Sequence, residues 1–179
     1  MSAEKSTHLQ TEINGDDLLI AQYTSVRDEI VKRIEIQHQL LSLALIAPGT
    51  VLGIGFQTRN ASLMLLYPLL GMFLSAAWLS NSFAIYDIAD YIQSEIQPRV
   101  GEGFKIWEDF RASIDTRHLA ILHFLGTRGL FIGTGLLTLL AGIALAKFDN
   151  SQTIYLIVGI VSIILTIILL SLPQIKGHK

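Results

Sequence analysis

Three carboxylates are the first candidates for chemistry. Asp87 and Asp90 stand one helical step apart, and Glu29 comes level with Asp90 if the segments that carry them run antiparallel. Grouped carboxylates bind hard divalent cations through oxygen. They serve equally well as ion-pair partners on a helix face. Arg27, Lys32 and Arg33 stand in the same stretch, so pairing among Arg27, Glu29, Arg33, Asp87 and Asp90 is the expected use, and no metal is expected. His38, His118 and His123 match no ligand spacing such as HExxH. The chain has no cysteine, which excludes disulfides, thiolate metal sites and a cysteine nucleophile. The glycine-rich run GTVLGIG lacks a Lys-Ser/Thr ending and follows no strand, so it is not a nucleotide loop. No nucleophile has a base in a recognisable pattern. The expectation is a protein that is not an enzyme and holds no cofactor.

A second polar set is Gln37, His38, Gln39 and Asn81. Such groups line the constriction at a pore mouth, or they form a hydrogen-bonding layer that fixes two helices together. The layer is the expected role. Thr134, Thr138, Ser162 and Thr166 recur at i, i+4 spacing in apolar surroundings, the pattern of hydroxyls that hold helices together in lipid.

The elements that must position these groups are four apolar blocks, 40–56, 63–79, 130–146 and 154–172, with no charge inside any of them. At 1.5 Å per residue, segments of this length cross, or nearly cross, a hydrocarbon core of about 30 Å. Overall 51% of the chain is hydrophobic and only 16% charged, against roughly 25% charged in soluble domains. The opening stretch MSAEKSTHLQTEINGDD is polar and has no apolar core before a cleavage site. Residues 1–15 are therefore expected to be a disordered tail without a cleaved signal, and 16–179 a single domain. The net charge of −2 gives no general attraction to nucleic acid.

Lysine and arginine set the orientation. The connections 57–62 and 147–152 hold two, Arg59 and Lys147, and the remaining eleven lie on the opposite side. The positive-inside rule puts both termini and the long middle segment in the cytoplasm of a bacterial inner membrane. Three of the four helices are expected to continue into a cytoplasmic stalk, over 16–39, 80–97 and 103–128. Leu19, Tyr23, Val26, Ile30, Gln37 and Leu41 form a heptad-like seam on the first, with Asp16 and Asp17 suited to its N-terminus. Ile85, Ile88, Ile92 and Ile96 continue the second until Pro98, where the helix is expected to end. The third carries Trp107, Phe110, Ile114, His118, Ile121 and Leu125, with loosening expected at Gly126 and Gly129. The fold class is thus all-α: a polytopic membrane protein with four transmembrane helices and a helical stalk.

The short turn after the first block makes helices 1 and 2 a hairpin, in which positions summing to about 119–120 lie at equal height. Gly49 then meets Gly71, each in a small-xxx-small pattern, Gly49/Gly53 and Gly71/Ser75, that allows close backbone contact. Arg33 comes level with Asp87 as an ion-pair partner, and Gln37 and Gln39 with Ser80–Ser82. Pro48 should bend the first span. Trp78 and Trp107 are expected as membrane-interface anchors.

Residues 20–110 resemble a widespread group of small bacterial four-span membrane proteins. The resemblance rests on Tyr23, Arg27, Glu29, Arg33 and Gln39, on Gly49 and Gly53, on Tyr67-Pro68, Trp78, Ile85, Ile88, Tyr91 and Ile92, and on Trp107-Glu108. The overall shape is similar to compact membrane effectors of bacterial immune systems, which oligomerise and permeabilise the inner membrane. That likeness implies a homo-oligomeric, channel-like effector gated through its stalk, in antiphage defence. The alternative is a non-conducting anchor in the lipid bilayer that docks a soluble cytoplasmic partner.

Overall fold

The computed structural model describes residues 15–100, 117–147 and 149–171, with side chains at all of these but 100 and 117–125. The described chain is all-α. Helix α1 spans Gly15–Thr58 and α2 spans Ala61–Tyr91. A π-helical turn, Ile92–Ile96, and a last α-helical turn, Gln97–Val100, extend α2. Helix α3 spans Arg117–Leu145 and α4 spans Asn150–Ser171. Four helices are long and apolar enough to cross a membrane.

The α1–α2 hairpin is closed by local backbone chemistry. Thr58 ends α1, and Arg59 follows in the left-handed region at φ 51°. The Asn60 N–H then reaches the Gly55 carbonyl at 2.9 Å and the Arg59 N–H reaches Phe56 at 3.4 Å. This is the paired capping pattern that satisfies the last carbonyls of a helix. Asn60 also begins α2, its side-chain oxygen accepting from the Leu63 N–H at 3.3 Å.

Helix α2 packs on α1, α3 and α4, and α3 also touches α1 and α4. Leu45, Ile46, Phe73, Leu140 and Ile168 point outward, whereas Ser75, Thr138, Ser162 and Thr166 are buried. Hydrocarbon outside and hydroxyls inside suit lipid, where a polar group must find its partner within the protein. Each buried hydroxyl does so on its own helix: Ser75 donates to Met72, Thr138 to Thr134, Ser162 to Val158 and Thr166 to Ser162, at 2.8–3.0 Å.

Three apolar clusters stack along the molecule. Leu65, Leu139 and Ile163 fill the end near the hairpin turn. Ala44, Leu74, Trp78, Leu79, Phe131 and Leu170 fill the middle. Beyond them, Ile30 packs on Ile92 and Ile96, flanked by Leu19, Tyr23, Val26, Ile85, Ile88 and Tyr91. That third cluster unites the seam of α1 with the isoleucine stripe of α2 inside one chain.

Two sequence expectations fail here. The helix does not end at Pro98 but passes through it to Val100. The π turn explains this: the Gln97 N–H bonds back to Ile92 across a widened turn, which gives the proline ring room that a tight α turn denies it. Gly126 and Gly129 do not interrupt α3 either. A glycine weakens a helix by only about 1 kcal/mol, which surrounding packing offsets.

Candidate functional site

Where the hairpin leaves the apolar zone, α1 and α2 are stitched by polar groups. Gln37 donates from Nε2 to the Ser82 hydroxyl at 2.7 Å, and Ser82 passes the bond to the Trp78 carbonyl at 3.0 Å. Asn81 donates from Nδ2 to the Arg33 carbonyl at 2.6 Å. Asn81 and Ser82 are buried, so these bonds form where water competes little and count for more. His38 and Gln39 sit on the exposed side of α1 and take no part. The expected four-residue polar set therefore divides, with Gln37 and Asn81 facing the partner helix. Successive residues on a helix are about 100° apart, so 37, 38 and 39 cannot all face one neighbour.

The charged set is arranged differently from expectation. Arg33 pairs with Glu29 on its own helix, Nη2 to Oε1 at 2.6 Å. Among the described residues no ion pair joins Arg33 to Asp87. One turn of helix already offers Arg33 a carboxylate, and Asp87 and Asp90 stand exposed on α2. Arg27 lies over the Tyr23 ring, 5.6 Å from its centroid, and donates to the Tyr23 hydroxyl at 3.1 Å. Farther along, Gln22 hydrogen-bonds the Tyr91 hydroxyl across the hairpin. Among the described residues no three His, Asp or Glu side chains gather as a metal site. The side chains of His118 and His123, and the whole of Trp107, lie outside the described residues.

Trp78 is not an interface anchor. It is 6% exposed and stacks obliquely on Phe131, with centroids 6.3 Å apart. The approach of α3 covers the face of α2 that a lone hairpin would turn toward the headgroups.

The glycine expectation is also corrected. Gly71 and Ser75 are buried, but a Cβ on Gly49 or Gly53 would meet nothing within 4 Å. The close approaches lie elsewhere. A Cβ on Gly55 would come within 2.6 Å of Met64, one on Gly142 within 2.8 Å of Leu65, and one on Gly159 within 2.7 Å of the Leu65 carbonyl. Helices α3 and α4 thus crowd α2 at Leu65, and of the glycines Gly49, Gly53 and Gly55 on α1 it is Gly55, beside the turn, that has α2 against it. The small-xxx-small rule finds glycines that permit contact but does not say which face is used.

One interhelical bond was hidden in the sequence. Pro48 has no N–H, so the Ala44 carbonyl loses its helical donor, and the buried Tyr67 hydroxyl donates to it at 3.4 Å. The signal was the proline itself: inside lipid an orphaned carbonyl calls for a donor from a neighbour.

No protein-family model, curated protein or solved structure matches this chain.

Proposed function

We propose that this protein is an oligomeric inner-membrane channel-like effector worked through its cytoplasmic stalk, with antiviral defence in a bacterium as its setting. The observation that carries the reading is the continuity of α1 across the polar layer. Its 44 residues form one helix, about 66 Å long at 1.5 Å per residue. Gln37, Ser82, Asn81 and the Arg33 carbonyl clamp that helix to α2 at the boundary. A push on the stalk would thus reach the spans through a stiff, clamped pair.

The spans of a single chain are filled by side chains, and their buried hydroxyls are spent on their own carbonyls. Such an interior leaves ions no wet path. A conducting route would therefore form between copies, which is why the reading requires an oligomer. The family resemblance and the cytoplasmic placement of both termini belong to the same proposal.

A second reading has its own support. Ile20, Val31 and Ile34 are 63%, 61% and 41% exposed on the stalk half of α1. Apolar side chains bare to water suit a docked cytoplasmic protein, and an anchor of that kind needs no pore.

Ion flux from liposomes carrying the purified protein, with the oligomer mass measured in parallel, separates the two. Flux from a defined oligomer supports the channel. Sealed liposomes together with a strictly monomeric protein would sink it.

A further inference from the structure

The stalk half of α1 carries a second seam. Ile20, Thr24, Arg27, Val31 and Ile34 step by four and three, the spacing of a coiled-coil contact line. This line lies about 90° around the helix from the one that packs on α2. Its apolar members are bare: Ile20, Val31 and Ile34 are 63%, 61% and 41% exposed. Its polar members are folded onto their own helix, Thr24 donating to the Ile20 carbonyl at 2.9 Å and Arg27 to the Tyr23 hydroxyl at 3.1 Å. From Ile20 to Ile34 the seam is about 21 Å long.

Asp28 and Glu35 stand one heptad apart along one edge of this seam, and both are exposed. Among the described residues neither is in an ion pair. The paired carboxylates are Glu29, held by Arg33, and Glu95, held by Arg99. Charges at such flanking positions choose the partner of a helix. Carboxylates at both call for a helix that is basic along the facing edge.

We infer that this seam docks one basic amphipathic helix of a cytoplasmic protein, its apolar line on Ile20, Val31 and Ile34 and its lysines or arginines on Asp28 and Glu35. The inference names the partner's chemistry for the docking reading above and rests on that reading. Charge decides against the other occupants. A second copy inserted in the same sense would set Tyr23 and Ile30 opposite Asp28 and Glu35, and neither is basic. Both are moreover packed against α2. The chain's own segment 101–116 holds Glu102, Glu108, Asp109 and Asp115 against Lys105 and Arg111, so it has the same sign as the seam's edge. An anionic leaflet has that sign too.

The probe is a synthetic helix of about 18 residues, long enough to cover the seam at 1.5 Å each, with leucine along one face and lysine elsewhere. A twin peptide carries glutamate in place of lysine. Binding is read by fluorescence anisotropy on the full-length protein in phosphatidylcholine nanodiscs, against empty discs. The lysine helix should bind about fivefold tighter than its twin, the size of two exposed ion pairs. Asp28→Asn with Glu35→Gln should erase the preference, whereas Asp87→Asn with Asp90→Asn, two exposed carboxylates of α2, should leave it. Val31→Ser with Ile34→Ser should weaken both peptides with helicity unchanged. The chain has no cysteine, so Val31→Cys supplies a single thiol, which should alkylate rapidly and be protected by the lysine helix. Equal affinity for the two peptides that still depends on Val31 and Ile34 would overturn the basic chemistry and leave the docking reading standing. A preference that survives Asp28→Asn with Glu35→Gln, or that falls equally with Asp87→Asn and Asp90→Asn, would be general charge attraction and would overturn the inference. Slow alkylation of Val31→Cys without any peptide would show the face already covered by this chain or a second copy, and would overturn the inference and the docking reading together.

Discussion

The hydroxyl of Tyr67 donates across 3.4 Å to the carbonyl of Ala44, the carbonyl that Pro48 leaves without a helical donor. The bond ties α2 to α1 at the one carbonyl of α1 that the proline leaves open. Tyr67→Phe should lower stability by about 0.5–1 kcal/mol, the usual net worth of such a bond in a membrane protein. Pro48→Ala restores the intrahelical donor. In that background Tyr67→Phe should cost measurably less. Unfolding titrations of the four variants in mixed detergent check this, and equal costs in both backgrounds would separate the tyrosine from the proline.

The close crossings lead to a contrast between two glycines. Gly159→Ala would put a methyl 2.7 Å from the Leu65 carbonyl and 2.8 Å from Leu139. The carbonyl belongs to a helix and cannot step aside, so a loss of about 1–3 kcal/mol is expected. Gly49→Ala meets open space and should be neutral or slightly stabilising through helix propensity. The same titration distinguishes them. If Gly49→Leu lowers the oligomer mass while the chain stays folded, the outward face of α1 is a subunit contact.

This contrast shows what the sequence could and could not specify. The four helices of membrane-spanning length were readable because a charge-free run of that length has few other uses. The stalk core was readable too, since Leu19, Tyr23, Val26 and Ile30 repeat at helical spacing and lie beside the Ile85–Ile96 stripe. Inside the spans that signal disappears. Inward and outward faces are both apolar, so periodicity could not show that Trp78 turns inward or that Gly49 turns out. The partner of Arg33 is not legible for another reason. Equal height allowed Asp87, but a neighbour one turn away closes an ion pair without ordering a second helix.

That pairing makes a charge-swap prediction. Arg33→Glu places a like charge beside Glu29 and should cost about 0.5 kcal/mol, given how exposed the pair is. Glu29→Arg added to it should recover the loss, whereas Asp87→Arg should not. Rescue by Asp87→Arg alone would show an ion pair across the hairpin instead. Stalk stability by hydrogen exchange is the suitable measure, because it resolves local opening.

Arg59 holds the left-handed turn between α1 and α2 at φ 51°. A side chain there costs roughly 1 kcal/mol that glycine avoids. Arg59→Gly should therefore raise the unfolding midpoint. It also removes one of the two basic residues from the side opposite the stalk, so accessibility labelling should show the orientation unchanged or strengthened. A lower midpoint would mean that the arginine side chain makes a contact worth more than the strain.

The last prediction concerns acid. The Asp149 carboxylate accepts from the Gln152 backbone N–H at 2.7 Å and from the Ser151 hydroxyl at 2.9 Å, capping α4. The backbone bond first, and the hydroxyl second, favour the ionised form and hold its pKa below the usual value of 3.8. Unfolded chain then takes up the proton more readily than folded chain. The stabilisation is present above the unfolded pKa and fades as pH falls through the lower, folded one. Opening of the first turn of α4, followed by hydrogen exchange, should thus become easier below about pH 4, the unperturbed aspartate range. Asp149→Asn keeps the capping oxygen and removes the titration, so its acid response should be flatter. An identical acid response in the two proteins would show that the cap is not what titrates.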